Sequence, residues 1–354
     1  VKHGAKMVPF AGWEMPLQYA SGAKSEHHAT RNAAGLFDID HMGQFALSGP
    51  DADAYLNNLV TWDIGNIQEN EAHYALLCYE DGTIIDDIYV YRLPQRWFIA
   101  VNAANRAKDF AWMQAHTAGY DVELIDVSDE TYMLALQGPK ALRILQALTD
   151  IDVSGIPRFH LAEAAVDGFS SLISRTGYTG EDGVELFFAE RNAVDLWQTL
   201  LEAGAEHGLQ AIGLAARDSL RFEPGFALYG HEIDATITPL EARLSWVINF
   251  EADFIGRNAL LKQKLEGGPS RRLVGFEMVD KGVPREGYGV HVQDEAVGTV
   301  VSGLYAPTLD KFVGHTFLPR PFTKLGTEIQ INIRDKFKTA KVVRRPMYKP
   351  TYRD

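Results

Sequence analysis

Two adjacent carboxylates, Asp86 and Asp87, open the run Asp86-Asp87-Ile88-Tyr89-Val90-Tyr91. Paired acids can hold or move a proton when one is drawn out of water, because burial and a neighbouring negative charge both favour the protonated form. In a strand, successive side chains point to opposite faces, so these two acids cannot look the same way. One is then placed to face a cavity; the competing account leaves both in solvent at a strand end, where Asp is usually found. A second run, 174–185, puts Gly177, Gly180 and Gly183 close together and ends on Glu185. The glycines permit close backbone approach or a tight turn. Glu185 sits between Val184 and Leu186, a costly setting for an acid without a partner, although an exposed strand position would also accept it. No Gly-Lys-Ser/Thr follows, so this is not a phosphate loop. Arg217 and Arg221 lie four apart, on one face of a helix, to pair with acids or to bind a planar, amide-rich ligand. Asn102, at the end of an apolar run, either reads a heterocycle or caps the next helix.

The elements that must position these groups are mostly strands. Asp81-Gly82 is a hairpin signal, with 71–79 as the partner of the acid-bearing strand. Residues 4–16 mix Gly, Pro and large apolar residues and read as an irregular buried segment. A helix is expected over 22–34 with Gly35 at C′, then a strand over 36–47 that carries His41, read as a hydrogen-bonded structural histidine. Helices follow over 50–59, 106–118 (Asn105 as N-cap) and 140–148, with strands over 96–101, 122–125 and 131–136 between them. Later come strands at 272–278, 288–293, 296–302 and 328–333 with almost no helix, so the class is α+β with a β-rich C-terminal region.

The 354 residues suffice for two or three domains, and 46% hydrophobic with 23% charged residues is an ordinary globular composition. No apolar run reaches the roughly 18 residues that a membrane span needs, and no charged-then-apolar leader opens the chain. A net charge of −13 argues against nucleic acid or an anionic membrane as partner. The single cysteine, Cys78, can form neither an internal disulfide nor a zinc cluster, and no metal is expected; a reducing compartment fits. Lys336, Lys338, Lys341, Arg344 and Arg345 form a solvated basic face or meet an anionic ligand tail or acidic partner.

Taken together, residues 4–16, 37–43, 84–87, 174–185, 213–234, 245–247, 254–256 and 301–309 resemble, in collinear order, the aminomethyltransferase family, the T-protein of the glycine cleavage system. That resemblance implies a three-domain cloverleaf around a central folate cavity, ending in a β-barrel-like domain. The implied domains are 1–45 plus 129–234, 46–128 plus 235–266, and 267–354. It implies one-carbon transfer to tetrahydrofolate from an aminomethyl group on a lipoylated carrier (H) protein, with release of ammonia, in the cytoplasm or, in a eukaryote, the mitochondrial matrix. By the same likeness Asp87 is the catalytic acid, Asp86 its structural neighbour, Glu185 the reader of the pterin's amino-pyrimidine edge and Arg217 the pocket arginine. Tyr74, Tyr178, Asn102 and Met42 line the slot for the pterin and aminobenzoyl groups.

The chain departs from the family pattern at Asp40, Thr83, Phe222-Glu223-Pro224 and His315. Asp40 and His315 read either as tolerated surface changes or as marks of a relative with another donor. The competing functions are a folate-dependent demethylase that takes a methyl group from a small N-, O- or S-methyl compound, and a non-catalytic folate-binding or assembly protein. Retention of Asp87 argues against the second.

Overall fold

The computed structural model describes residues 3–349. Its architecture is mixed α/β, with two open sheets, a closed barrel and a short hairpin. The first sheet runs Leu161–Val166, Phe169–Ser174, Gly183–Ala189, Thr131–Gln137, Ala34–Asp38, Leu209–Ile212. All its pairs are antiparallel except the last. The second, wholly antiparallel, runs Ala72–Cys78, Ile84–Leu93, Arg96–Val101, Gly43–Ser48, Glu123–Asp126. The barrel closes through Arg271–Met278, Lys311–Pro319, Glu295–Ala306, Gly289–Val292, Glu328–Ile333 and Lys336–Val343.

Each sheet packs one face on its own helices. The helices Ala52–Leu59 and Arg106–Ala115 cover the second sheet through Tyr55, Leu56, Leu59 and Met113. Ala141–Gln146 and Ala193–Gly204 cover the first through Ile144, Leu145, Leu196 and Leu200. The opposite faces of the two sheets meet each other: Tyr91 and Phe98 of the second set their rings edge-on to Phe187 of the first at 5.4 and 5.1 Å. A further cluster joins the hairpin residues Leu76, Cys78 and Ile84 to Ile237, Val247 and Phe254 and to Leu273 and Phe317 of the barrel. Burial on this scale, at about 25 cal/mol per Å² of apolar surface, is what holds the acid-bearing hairpin between its neighbours.

Several expectations are corrected. Residues 36–47 are not one strand: Ala34–Asp38 belongs to the first sheet and Gly43–Ser48 to the second, so the chain changes sheet at 39–42. Gly35 is not a helix C′ residue but lies in the strand, where a Cβ would sit 2.4 Å from Thr30 Oγ1. Residues 4–16 form not a buried irregular segment but a hairpin, Lys6–Phe10 with Trp13–Gln18, whose tip exposes Phe10 and Trp13. Ala11 and Gly12 turn it with positive φ. The basic stretch keeps Lys336, Lys341 and Arg344 exposed on and just beyond a barrel strand, Lys336–Val343, as a solvated face requires; Arg345 departs from it, partly buried and donating to the Gly225 carbonyl at 2.9 Å. Among the described residues no helix is long and apolar enough to cross a membrane.

Candidate active site

The Asp81-Gly82 turn is built as its chemistry requires: Gly82 takes φ 84°, and the Asp81 carboxylate accepts from the Thr83 amide at 2.9 Å and hydroxyl at 2.7 Å. It aims the strand Ile84–Leu93 so that Ile88 and Val90 enter the core under the helices, while Tyr89 and Tyr91 enter the layer between the sheets. Asp86 and Asp87 divide accordingly. Asp86 is fully buried and Asp87 half-buried, so neither lies in bulk water as the solvent account had it.

Register explains how one amide serves both acids. Tyr89 pairs with Ala100, which brings Asn102 across from Asp87. The Asn102 side-chain amide donates to Asp87 Oδ1 at 2.7 Å and Asp86 Oδ1 at 2.9 Å, and its backbone N–H donates to Asp86 Oδ2 at 3.0 Å. Asn105 occupies the N-cap position but makes no side-chain cap; its amide donates instead to Asp86 Oδ1 at 2.6 Å. Tyr74, on the facing strand, donates its hydroxyl to Asp87 Oδ2 at 3.0 Å. Burial, and then the Asp86 charge, push the Asp87 carboxyl up to about 7, against the hydrogen bonds from Tyr74 and Asn102. Burial and the Asp87 charge hold the Tyr74 hydroxyl as a neutral donor, well above its ordinary range.

A second group faces this one. Glu185 is buried, and Thr176 donates its hydroxyl to Oε2; burial raises its carboxyl, while Thr176 and Arg217 oppose that rise. The Arg217 guanidinium lies over the Tyr178 ring, 5.0 Å from its centroid, and makes no ion pair among the described residues. Burial lowers it from its usual value. Arg221, its neighbour one turn on, is instead consumed by Glu232 at 2.7 Å and Asp218 at 2.9 Å. Tyr178 stacks on Phe226 and donates to the Ala227 carbonyl. Met42 is half-buried at the edge of the apolar layer that contains Phe98 and Ala100.

The structure therefore joins Asp87, Tyr74 and Asn102 by hydrogen bonds, and Glu185, Arg217 and Tyr178 by proximity, with Met42 on the apolar layer beside them. Tyr89 feels the charge of both Glu185 and Asp87 and lies between the two groups. Sequence reasoning passed over it, although the two-residue period that placed Asp87 puts Tyr89 on the same face. Trp246, 63% exposed, was also missed; it stacks on Tyr74 at 5.7 Å and 18°. His41 is not the hydrogen-bonded histidine expected: buried beside Phe10, its Nδ1 has no partner, and burial and then Arg217 lower its pKa to about 3.

The two departures are not surface changes. His315 is fully buried, stacks on Phe222 at 4.0 Å and bonds Glu232 through Nδ1 at 2.8 Å. Asp40 is half-buried with Oδ1 unpartnered, and burial, then Asp38, push it up to about 7. Among the described residues no cluster of three or more His, Cys, Asp or Glu is arranged to hold a metal.

Comparison with known proteins covers the whole chain. Residues 1–252 match the family model described as the GCVT N-terminal domain, and residues 271–349 the glycine cleavage T-protein C-terminal barrel domain. An aminomethyltransferase of Anoxybacillus flavithermus is 47% identical over 99% of this chain and 96% of its own length. One of Herpetosiphon aurantiacus is 48% identical over 99% and 96%. The crystal structure of the glycine cleavage system aminomethyltransferase T from Bartonella henselae superposes with a TM-score of 0.92 at 34% identity, covering 99% of this chain and 96% of that one.

Proposed function

This chain belongs to the glycine cleavage T-protein family of aminomethyltransferases, and from that premise we propose that its acceptor is tetrahydrofolate and that Asp87 is the acid acting on it. The chain is an enzyme, a one-carbon transferase of the aminomethyl type. The observation that carries the site assignment is Asp87 itself: a half-buried carboxyl held from two sides by Tyr74 and Asn102, with Tyr178 between it and the half-buried Arg217, whose guanidinium has no ion pair among the described residues.

The residues fit the ligand. Glu185 has one oxygen tied to Thr176 and the other uncommitted, which suits an amino-pyrimidine edge with paired N–H donors. Arg217 offers donors from a desolvated position, and Tyr178, Tyr74 and Met42 offer flat or apolar walls. The Asn102 amide N–H groups are spent on the acids, leaving its carbonyl to face a ligand. Tetrahydrofolate, when bound, supplies the nitrogens that take the aminomethyl carbon as ammonia leaves.

With its pKa raised to about 7, the Asp87 carboxyl can accept or return a proton at neutral pH. Once ionised, it places fixed negative charge where positive charge develops. Tyr74 and Asn102 hold its two oxygens, so orientation is set before the reaction begins. Asp86 is the structural member, fixed by three N–H donors.

The donor is proposed to be a lipoylated carrier protein, in keeping with the Bartonella relative's place in the glycine cleavage system. The proposed domains are 1–45 with 129–234, 46–128 with 235–266, and 267–354; the separation of the sheets and cores supports them, save that the boundary at 45 cuts the strand Gly43–Ser48 of the second sheet and belongs at 39–42. Val1, Lys2 and 350–354 lie outside the described residues.

The test is calorimetric titration with tetrahydrofolate, followed by turnover with aminomethyl-lipoyl carrier and assay of methylenetetrahydrofolate and ammonia. Asp87→Asn is expected to bind folate within a few-fold of wild type and to lose about two orders of magnitude in turnover. Equal loss of binding and turnover would reduce Asp87 to a positional role. Undiminished turnover would remove it from the chemistry.

A further inference from the structure

A third acid stands behind the pair. Asp109 lies in the helix Arg106–Ala115 and is completely buried. Among the described residues, no N–H or O–H donor gives a hydrogen bond to either of its oxygens. Lys108 Nζ is 4.0 Å from Oδ1 but is committed to the Ile85 carbonyl at 2.6 Å and the Tyr229 hydroxyl at 3.0 Å. An ionised carboxylate in that position would be a buried charge with all its lone pairs unpaired, among the costliest arrangements in a protein. A neutral carboxylic acid carries instead one O–H to give. The acceptor within its reach is the carboxyl of Asp86.

Asp86 already takes three N–H donors, from the Asn102 backbone and the Asn102 and Asn105 side chains. A carboxylate has about four lone-pair sites, so one donor is still needed to complete its shell. We propose that Asp109 is a positioning residue that works as a neutral carboxylic acid, donating to Asp86 and so fixing, through the Asn102 amide, the orientation of the Asp87 carboxyl. The sequence of contacts is Asp109 to Asp86, Asp86 to Asn102, and Asn102 to Asp87 at 2.7 Å. Three acids at such short range can coexist because the rearmost carries a proton instead of a charge. Burial, then the Asp86 charge, push Asp109 up to about 11, while Lys108 acts in the other direction; Asp87 and Tyr229 are the remaining titratable groups that feel it. The inference rests on Asp87 being the reacting acid.

Two measurements separate this proposal from that premise. Infrared spectroscopy of wild-type protein with isotope-labelled aspartate reads protonation directly, with no turnover involved. A protonated aspartyl carbonyl band is expected to persist at pH 9, where Asp87 and Asp40, each raised to about 7, have ionised, and to vanish in Asp109→Asn. A spectrum without that band at pH 9 overturns the proposal. In kinetics, Asp109→Leu, which has no donor, is expected to lower kcat by about tenfold to a hundredfold through misplacement of Asp87, with the folate dissociation constant held within about twofold. Asp109→Asn, whose amide can donate to Asp86 as the acid does, is expected to recover most of that loss. Should Asp109→Asn fall as far as Asp109→Leu, or Asp109→Leu keep full kcat while Asp87→Asn is inactive, Asp109 does not position Asp87. If Asp87→Asn itself turns over normally, the premise fails and the infrared result stands alone.

Discussion

Two clusters of buried charge lie in this molecule and are built on opposite plans. Where the N-terminal part meets the barrel, the buried acids Glu181, Glu223 and Glu232 each meet an arginine, and only Arg345, among the described residues, rests on a backbone carbonyl instead. Arg31 bonds Glu181 and Glu223 at 2.9 Å each, and Glu223 also takes the Thr308 amide at 2.9 Å. Nearby, Arg221 bonds Glu232, which also takes His315. On the acid-bearing strand, by contrast, Asp87 toward the other sheet and Asp86 and Asp109 on the helix side are met by amides, a phenol and one another, while Arg217 stays apart from Glu185 with no ion pair among the described residues. The first plan offsets the cost of burial with partners already in the fold; the second leaves part of that cost standing. Uncompensated burial of this kind marks a place where a ligand completes the electrostatics. The matched cluster fastens the barrel to the rest, and the unmatched one is where chemistry is expected.

The sharpest way to break this contrast is to remove one member of the matched cluster. Arg221→Leu leaves Glu232 buried with His315, Ser302 and the Leu228 amide but without its guanidinium, so about 3–5 kcal/mol of stability should be lost in chemical denaturation. A cost below about 1 kcal/mol would show that the pair is no better matched than the acids across the molecule. Glu185→Gln probes the other plan. It is expected to weaken tetrahydrofolate binding about tenfold by calorimetry, the worth of one charged hydrogen bond, with little change in unfolding midpoint. An unaltered dissociation constant would take Glu185 out of the site.

Asp87→Asn sharpens the contrast through pH. The folded-state pKa of Asp87 lies near 7 against an ordinary 3.8, so its contribution to stability is present below pH 4 and lost as pH rises through 7. Relative to wild type, Asp87→Asn should therefore gain stability between pH 5 and pH 8. About 1 kcal/mol is expected, well short of the full shift because water still reaches the carboxyl. Titration of thermal midpoints over that range reads it; a constant difference between the two proteins would show that the acid is not held out of its ordinary range.

How legible these clusters were in the sequence follows from the range of the forces that make them. The hairpin, its turn and the opposite facing of Asp86 and Asp87 are local consequences of a two-residue period and a glycine. They could be read directly. The collinear motifs carried the family, and with it the expectation that Glu185 and Arg217 belong to the site. What stayed hidden was set by tertiary placement. The run at 36–47 alternates like one strand, yet the chain leaves one sheet for the other at 39–42. Asn105 looks like a cap by its position before a helix, but Asp86 competes successfully for its amide. His315 reads from its polarity as a surface change or the mark of another donor, and neither reading foresees its burial; Glu232, 83 residues away in sequence, is what permits that. Asp109 sits in a plain amphipathic helix, and only the fold brings it to Asp86.

The smallest expected effect fixes the zero of the comparison. Lys311 and Glu277 pair at 2.9 Å on neighbouring barrel strands, much the same distance as Arg31 to Glu223, but with side chains 51% and 33% exposed instead of 4% and 0%. If short distance alone made a matched charge valuable, the two pairs would contribute alike. Water screens the exposed pair and hydrates each partner when the other is removed, so no buried charge is stranded. Lys311→Ala should accordingly change stability by no more than about 0.5 kcal/mol in urea denaturation, and less in high salt. A loss of several kcal/mol there would mean that geometry rather than burial sets the worth of these pairs, and the distinction between the two buried clusters would lose its physical basis.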